Sequence, residues 1–284
     1  MSFRCLVCHA GGEAHLVHGA CRDYYLGTPF LVDYVRCHAC GLLQQLPLPE
    51  DVAPFYGAYP VHAAKSQLYA TLRWLVMAPI YYDARHHPAG IALLDYGCGD
   101  GGYLEAVTGR GFRLLGYEPD AGQAARLSER LGIPVHADLK SLLASDAGML
   151  DVVTLHMVLE HLTDPDAALA NARHLLKPGG TLYVVVPHVD SFEARLFGRK
   201  WHNLDPPRHI SFPLLEHVRR LADRHGYVLA RHEPVPFPNG FAASLPVVLS
   251  GRFRFPLFAL LFPLGVVYSR LVPTGSHAYW LTRQ

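Results

Sequence analysis

The chain has 284 residues, half of them hydrophobic, and its 25 Lys and Arg nearly cancel its 24 Asp and Glu, leaving a formal net charge of +1. That length holds one full α/β domain plus a small appendage, and the balanced charge lacks the clustered basic footprint of a nucleic-acid binder. Only 17% of residues are charged, below the usual quarter, which fits a protein with much buried or lipid-facing surface.

The N-terminus, Met1-Ser2-Phe3-Arg4-Cys5, carries no apolar signal region, so the expected location is cytoplasmic. In that reducing compartment six cysteines point to metal or packing rather than disulfides. Cys5-Leu6-Val7-Cys8 and Cys37-His38-Ala39-Cys40 are two C-x-x-C knuckles with 28 residues between them. Each knuckle turns two thiolates toward one point, and Cys5, Cys8, Cys37 and Cys40 together supply the tetrahedral sulfur set that Zn²⁺ favours. Gly41 suits the tight turn of the second knuckle. The pattern predicts a zinc-ribbon-like module over residues 1–47, although the loop is longer than usual. Four thiolates leave no open position for water, so the expected zinc is structural. Cys21 and Cys98 lie outside the pattern and read as buried small hydrophobes.

Residues 48–90 read as a linker and packing helix. Pro47 to Pro60 is rich in proline and aromatics, with Tyr56 and Tyr59 read as packing between modules. Leu68, Leu72, Leu75 and Val76 recur at helical spacing and predict a helix from about 63 to 83. The turn residues His86-His87-Pro88-Ala89-Gly90 end it.

From Ile91 onward strands and helices alternate, the signature of a parallel sheet covered on both faces. Strands are expected at 91–96, 112–118, 134–137, 150–156 and 180–187. Helices are expected near 101–109, 120–131, 139–145, 164–176 and 213–225, with Asp164 as N-cap and Pro165 in the first turn of the fourth. Tyr227 to Glu233 makes a sixth strand and His277 to Thr282 a seventh. Between these two, an apolar insertion runs over about 235–275. Phe255 to Ser269 contains no charge but is interrupted by Pro256, Pro263 and Gly265, too short and broken for a comfortable bilayer span. Arg252, Arg254 and Arg270 flank it. The readings left open for 241–270 are a buried cap, a dimer contact, or a peripheral contact at the inner face of a membrane.

The chemistry concentrates around Leu93-Leu94-Asp95-Tyr96-Gly97-Cys98-Gly99-Asp100-Gly101-Gly102, a buried strand running into a glycine-rich turn. Gly97 and Gly99 let the backbone approach a ligand where a Cβ would collide. Glu118 lies 21 residues past Gly97, where an acid accepts from ribose hydroxyls. Asp95 and Asp100 flank the turn, repelling a pyrophosphate and suiting a ligand with a cation there. At this point the sequence resembles the class I S-adenosylmethionine (SAM)-dependent methyltransferases. Asp151 to Leu162, ending in Glu160-His161-Leu162, and Leu176-Lys177-Pro178-Gly179-Gly180 are similar to two further motifs of that family. The likeness covers about 93–190.

The resemblance implies a Rossmann-like seven-stranded sheet over 91–284, with SAM held by Asp95, Gly97, Gly99, Glu118, Asp138 and Leu139. In the family an acid at the position of Asp138 accepts from the adenine amino group while the next N–H meets the ring; as an N-cap for 139–145 it can serve both purposes. It also implies a methyl acceptor, expected to be a small molecule and at best guess a hydroxyl of a sugar or lipid-linked polysaccharide precursor. A quinone-like or aromatic hydroxyl is the alternative, and an NAD(P)-dependent oxidoreductase is the alternative from another class. A hydroxyl acceptor benefits from a base, and a histidine suits that near pH 7. The candidates are His161, at the C-terminal end of the fourth strand, and His209, in Trp201-His202-Asn203-Leu204-Asp205-Pro206-Pro207-Arg208-His209. Glu160 beside His161 is read as no metal site.

Overall fold

The computed structural model describes residues 3–56, 76–82, 90–272 and 275–284. Tyr59, most of the helix expected over 63–83 and most of its closing turn lie outside these residues. Five short strands precede the linker: β1 (Phe3–Arg4), β2 (Gly11–Gly12), β3 (Ala14–Arg22), β4 (Leu31–Cys37) and β5 (Leu43–Leu46). The first two form a small antiparallel ribbon, and the other three an antiparallel meander.

The alternation that follows is the one the sequence predicts. It comprises β6 (Ala92–Tyr96), α1 (Gly102–Val107), β7 (Arg113–Tyr117), α2 (Ala121–Leu131), β8 (Val135–His136), α3 (Leu139–Ser145), β9 (Leu150–His156), α4 (Pro165–Leu175) and β10 (Leu176–Pro187). After β10 come α5 (Phe192–Phe197), β11 (Ser211–Phe212), α6 (Leu215–Arg224), β12 (Tyr227–Val235), α7 (Pro238–Ser250), α8 (Phe255–Leu271) and β13 (Ser276–Arg283). Side-chain caps start the helices that carry them in sequence: Asp120, Asp138 and Asp164 each accept from a backbone N–H in the first turn of α2, α3 and α4.

Seven strands form one sheet in the order β12-β13-β10-β9-β6-β7-β8. β9 and β6 lie side by side at its centre, and β13 runs antiparallel to both its neighbours. The central strands are near-continuous apolar runs because helices cover both faces: Leu93, Leu94, Val153, Leu155, Leu182, Val184 and Val185 are fully buried. On α6, Val218, Leu221 and Ala222 recur at helical spacing and bury the face turned to the core.

The N-terminal module shares this core. Phe3, Cys5, Val7, Val35, Cys37 and Leu42 pack in one cluster with Leu155, Leu159, Leu169 and Leu221. β11, from the far half of the chain, adds itself to the edge of β5 through Ser211↔Gln44 and Phe212↔Leu43. His217 on α6 accepts from the Leu214 N–H and donates to the carbonyl of Cys40 in the second knuckle.

The apolar insertion folds into two helices joined by residues 251–254. They are antiparallel, since Phe241 stacks on Tyr268 at 4.0 Å between centroids and Gly265 sits against Ala242. α7 buries Ala242, Ala243, Ser244 and Val247 against the domain. α8 does not: Phe255, Leu260, Leu264, Val267 and Leu271 are 52–76% exposed. Among the described residues, no helix is long and apolar enough to cross a membrane.

Candidate active site

The glycine turn lies where β6 ends, and its backbone is tied to the next strand. The N–H groups of Gly97 and Cys98 both donate to the carbonyl of Tyr117 at the end of β7. Gly97, Gly99 and Gly101 have φ of 76°, 55° and 75°, a region costly for residues with a Cβ. At Gly97 a Cβ would also lie 2.9 Å from a methyl of Val158, so the turn and the loop after β9 are in close contact there.

Glu118 reaches back over the turn. One carboxylate oxygen accepts from the Gly99 N–H at 3.0 Å and the other from the Asp120 N–H at 3.1 Å. These two bonds orient Glu118 over the turn. Gln123 on α2 donates to the Gly99 carbonyl and Arg130 donates to that of Asp100. Both stiffen the turn and neither was singled out by the sequence, because their roles depend on how α2 docks.

Asp95 is buried, and its Oδ1 accepts from the Thr154 hydroxyl at 2.7 Å and pairs with His156 Nδ1 at 3.1 Å. These contacts to β9 fix the carboxylate beside the turn. Among the described residues, Oδ2 meets no donor. Asp138 is exposed and uses both oxygens on the N–H groups of Lys140 and Ser141, the N-cap geometry. Leu139, beside it, packs partly against the core.

On the other side of the turn, a 3-10 turn at Leu159–His161 follows β9. The Ile210 N–H donates to the Glu160 carbonyl at 2.6 Å, pinning the Trp201–Ile210 loop onto it. This brings His161 and His209 together, with ring centroids 4.5 Å apart. His161 Nδ1 meets the Arg208 carbonyl at 2.9 Å and the Tyr56 hydroxyl at 2.8 Å, and His209 Nδ1 meets the Asn203 carbonyl at 2.7 Å. A carbonyl can only accept, so Nδ1 carries the proton in both rings and Nε2 holds a lone pair. Burial keeps both imidazoles neutral: it lowers His161, and with the neighbouring ring it takes His209 down to about 3. Glu160 is fully buried, and burial pushes it up to about 8.

The loop is held by Arg208. Its guanidinium forms a two-pronged pair with Asp23 of β3–β4 and another with Asp205, all inside the protein. Burial alone would raise Asp205, but its bonds and charge contact with Arg208 hold it down at about 2.

The four predicted cysteines converge. Cys5 Sγ lies 3.5 Å from Cys40 Sγ, Cys8 Sγ lies 3.7 Å from Cys37 Sγ, and all four sulfurs fall within 4.8 Å of one another. Tetrahedral coordination at a Zn–S distance of ~2.3 Å requires sulfurs about 3.8 Å apart, so the donor set fits the ion. The knuckles are built alike. Cys5 and Cys37 each donate to the carbonyl five residues on and accept from the N–H four residues on, with His9 and Gly41 at positive φ in equivalent places. Burial pushes the Cys5 thiol up to about 11 and Cys40 higher still, so without a cation such a cluster would not hold four thiolates.

The strand order, the antiparallel last strand and an acid reaching over the first glycine turn define a class I methyltransferase architecture. Residues 73–232 match the methyltransferase domain family, and the chain belongs to it. The ubiquinone biosynthesis O-methyltransferase of Xanthomonas axonopodis pv. citri is 38% identical over 110 residues, covering 37% of this chain and 46% of the relative. An uncharacterized 37.1 kDa protein in transposon TN4556 of Streptomyces fradiae is 30% identical over 183 residues, covering 62% of this chain and 50% of the relative. The chain thus spans about half the length of the curated relatives it matches. In fold, a Pyrococcus horikoshii OT3 protein superposes with a TM-score of 0.53 at 14% identity, covering 82% of this chain and 100% of that one. Phosphoethanolamine N-methyltransferase 2 of Haemonchus contortus, solved with S-adenosyl-L-methionine, gives 0.50 at 14% identity, covering 85% of this chain and 62% of that one.

Proposed function

We propose that this protein is a SAM-dependent methyltransferase acting on a hydroxyl of a small molecule, with a sugar or lipid-linked polysaccharide precursor as the leading acceptor class. The observation that carries the reading is Glu118. Its carboxylate is bonded to the Gly99 N–H at the C-terminal edge of β6 and β7, the place where open α/β sheets bind nucleosides. Glu118 would accept from the ribose hydroxyls and Gly97 and Gly99 would line the close approach. The open Oδ2 of Asp95 would accept from the ammonium group, and Asp138 with the Leu139 N–H would meet the adenine.

Bound SAM supplies a methyl group already activated by its sulfonium, so the protein's main task is alignment. Closure of the Trp201–Ile210 loop over the 3-10 turn presents two neutral imidazoles on the acceptor side. An Nε2 lone pair of His161 or His209 would take the hydroxyl proton as the O–CH₃ bond forms and the S–CH₃ bond breaks, leaving the demethylated nucleoside. A quinone-like or aromatic hydroxyl is the second acceptor class, favoured by the names of the curated O-methyltransferase relatives.

The thiolate cluster would hold one structural Zn²⁺, cross-linking the turn after β1, the end of β4 and the loop before β5. The exposed apolar face of α8, with Arg252, Arg254 and Arg270 beside it, would rest on an anionic membrane surface where lipid-linked acceptors reside. Calorimetry with SAM, its demethylated product and NADH, followed by a radiolabelled-methyl transfer screen over lipid-linked sugars, nucleotide sugars and phenolic acceptors, tests the function. Preference for NADH would overturn it, and transfer to a phenol alone would select the second acceptor class.

A further inference from the structure

We propose that His156 is a positioning residue for the cofactor, holding Asp95 in the orientation that presents its second oxygen to the ammonium group of SAM. The inference rests on the methyltransferase reading and adds to it a residue of which the glycine turn and its acids give no sign. In the parallel pairing of β6 with β9, Asp95 lies opposite Thr154. Side chains alternate along a strand, so His156, two residues on, stands on the same face as Thr154.

First, two donors converge on one oxygen. Asp95 Oδ1 accepts from the Thr154 hydroxyl at 2.7 Å and from His156 Nδ1 at 3.1 Å. The lone pairs of a carboxylate oxygen lie in the plane of the group. One bond leaves the carboxylate free to swing about that contact, whereas two fix its plane and with it the direction of Oδ2. Second, both ring nitrogens are committed. The Tyr82 N–H can only donate, and it reaches His156 Nε2 at 3.2 Å. Nε2 therefore accepts, and the ring proton sits on Nδ1, from which it is donated to Asp95. Third, the ring has no room to turn. Tyr103, Tyr183 and Tyr81 pack around it with centroids 4.4, 5.4 and 5.5 Å away. The side chains of His156 and Asp95 are 9% and 5% exposed.

The tyrosines carry the arrangement further. Tyr103 on α1 donates to the Tyr82 carbonyl at 3.2 Å, and Tyr183 on β10 donates to the Ile80 carbonyl at 2.9 Å. Residues 80–82 are thereby tied to the helix that follows the glycine turn, to β10 and, through the Tyr82 N–H, to His156. The Tyr82 N–H sets the tautomer of the imidazole, the imidazole sets Asp95, and Asp95 faces the methionine end of the cofactor. A carboxylate held in this way needs no further ordering when the ligand arrives.

Calorimetry of the full chain with SAM and with methylthioadenosine, which keeps the adenosine and lacks the ammonium group, tests this. His156→Gln removes the donor at the Nδ1 position and should weaken SAM by about tenfold, leaving methylthioadenosine unchanged. His156→Asn places an amide nitrogen where Nδ1 stood and should restore SAM affinity to within about threefold of the parent. In an Asp95→Asn background, His156→Gln should cost SAM less than about twofold more, because its effect passes through Asp95. Circular dichroism monitors the fold, and His156→Met, which fills the space of the ring without a donor, repeats the test if glutamine disturbs it. Equal SAM affinity in the parent and the donor-free variants, or equal weakening of SAM and methylthioadenosine, would overturn the role of His156 and leave the methyltransferase reading standing. A parent protein that binds no SAM would overturn the proposed function and this inference with it.

Discussion

Asp23 and Arg208, 185 residues apart, meet through two bonds of 2.8 and 3.1 Å with both side chains fully buried. The pair joins the N-terminal module to the loop that carries His209. Removing one member of a buried pair leaves a charge without its partner. Asp23→Ala should therefore lower the unfolding free energy by about 3 kcal/mol, somewhat eased because Arg208 keeps Asp205. Denaturant unfolding measures it, and a loss below 1 kcal/mol, on the scale of an exposed pair, would mean that the pair does not hold the two parts together.

Glu118→Ala should weaken SAM binding by about 1.5–3 kcal/mol, the scale of hydrogen bonds to a charged group. Since Glu118 also holds the Gly99 N–H, part of this loss would come from a looser turn. Calorimetry reads the change, and unchanged affinity would remove Glu118 from the cofactor site.

Metal analysis should find one zinc per chain bound by the thiolates, lost in a Cys5→Ser, Cys8→Ser double variant. The same variant should melt earlier, because the cysteines sit inside the shared core with Leu155 and Leu221. A full-length protein without zinc but with the parent's melting temperature would count against the ribbon.

Glu193 gives a pH signature away from the chemistry. Burial raises it from 4.5 to about 7, against one bond from the Trp201 indole. The folded state then binds more protons than the unfolded state between these values, so this residue's contribution to stability falls as pH rises from about 4.5 through 7. Glu193→Gln should be more stable than the parent above pH 8 by up to about 3 kcal/mol, with the difference vanishing near pH 4. Thermal unfolding across that range checks it, and a pH-independent difference would refute the shift.

The exposed face of α8 predicts flotation with phosphatidylglycerol vesicles. Leu260→Asp with Leu264→Asp should abolish flotation and leave SAM binding unchanged. Parent protein that stays entirely in the vesicle-free fraction would exclude the membrane contact, and a concentration-dependent dimer broken by the same substitutions would assign the face to a second copy.

Local pattern was enough for most of the scaffold. Leu150–His156 and Leu139–Ser145 form with the expected bounds, and the neighbouring strands and helices differ by a few residues at their ends. Their signals are periodicity, caps and glycine turns, all of which act within a few residues. The fifth strand begins earlier than expected, at Leu176 rather than 180, because an irregularity between Leu176 and Thr181 lets the Lys-Pro-Gly-Gly turn stay paired with β9. The four cysteines were equally legible, since paired C-x-x-C spacing dictates a common focus. What the sequence left open needed distance information. It drew a boundary near residue 47, but β11 crosses to complete the module's sheet. It offered burial, self-association and a membrane contact alike for the insertion; α7 is mostly buried while Phe255, Leu260, Leu264, Val267 and Leu271 of α8 face outward. It named His161 and His209 separately as candidate bases and could not show that they touch, because the loop bearing His209 is placed by Arg208 and the Ile210 N–H. By itself, then, the chain's pattern determined the sheet, the glycine turn with its acid and the sulfur cluster, whose information is local and repetitive. Only the tertiary structure decided which buried polar groups face each other, because long-range packing alone brings Asp23 to Arg208 and His209 to His161.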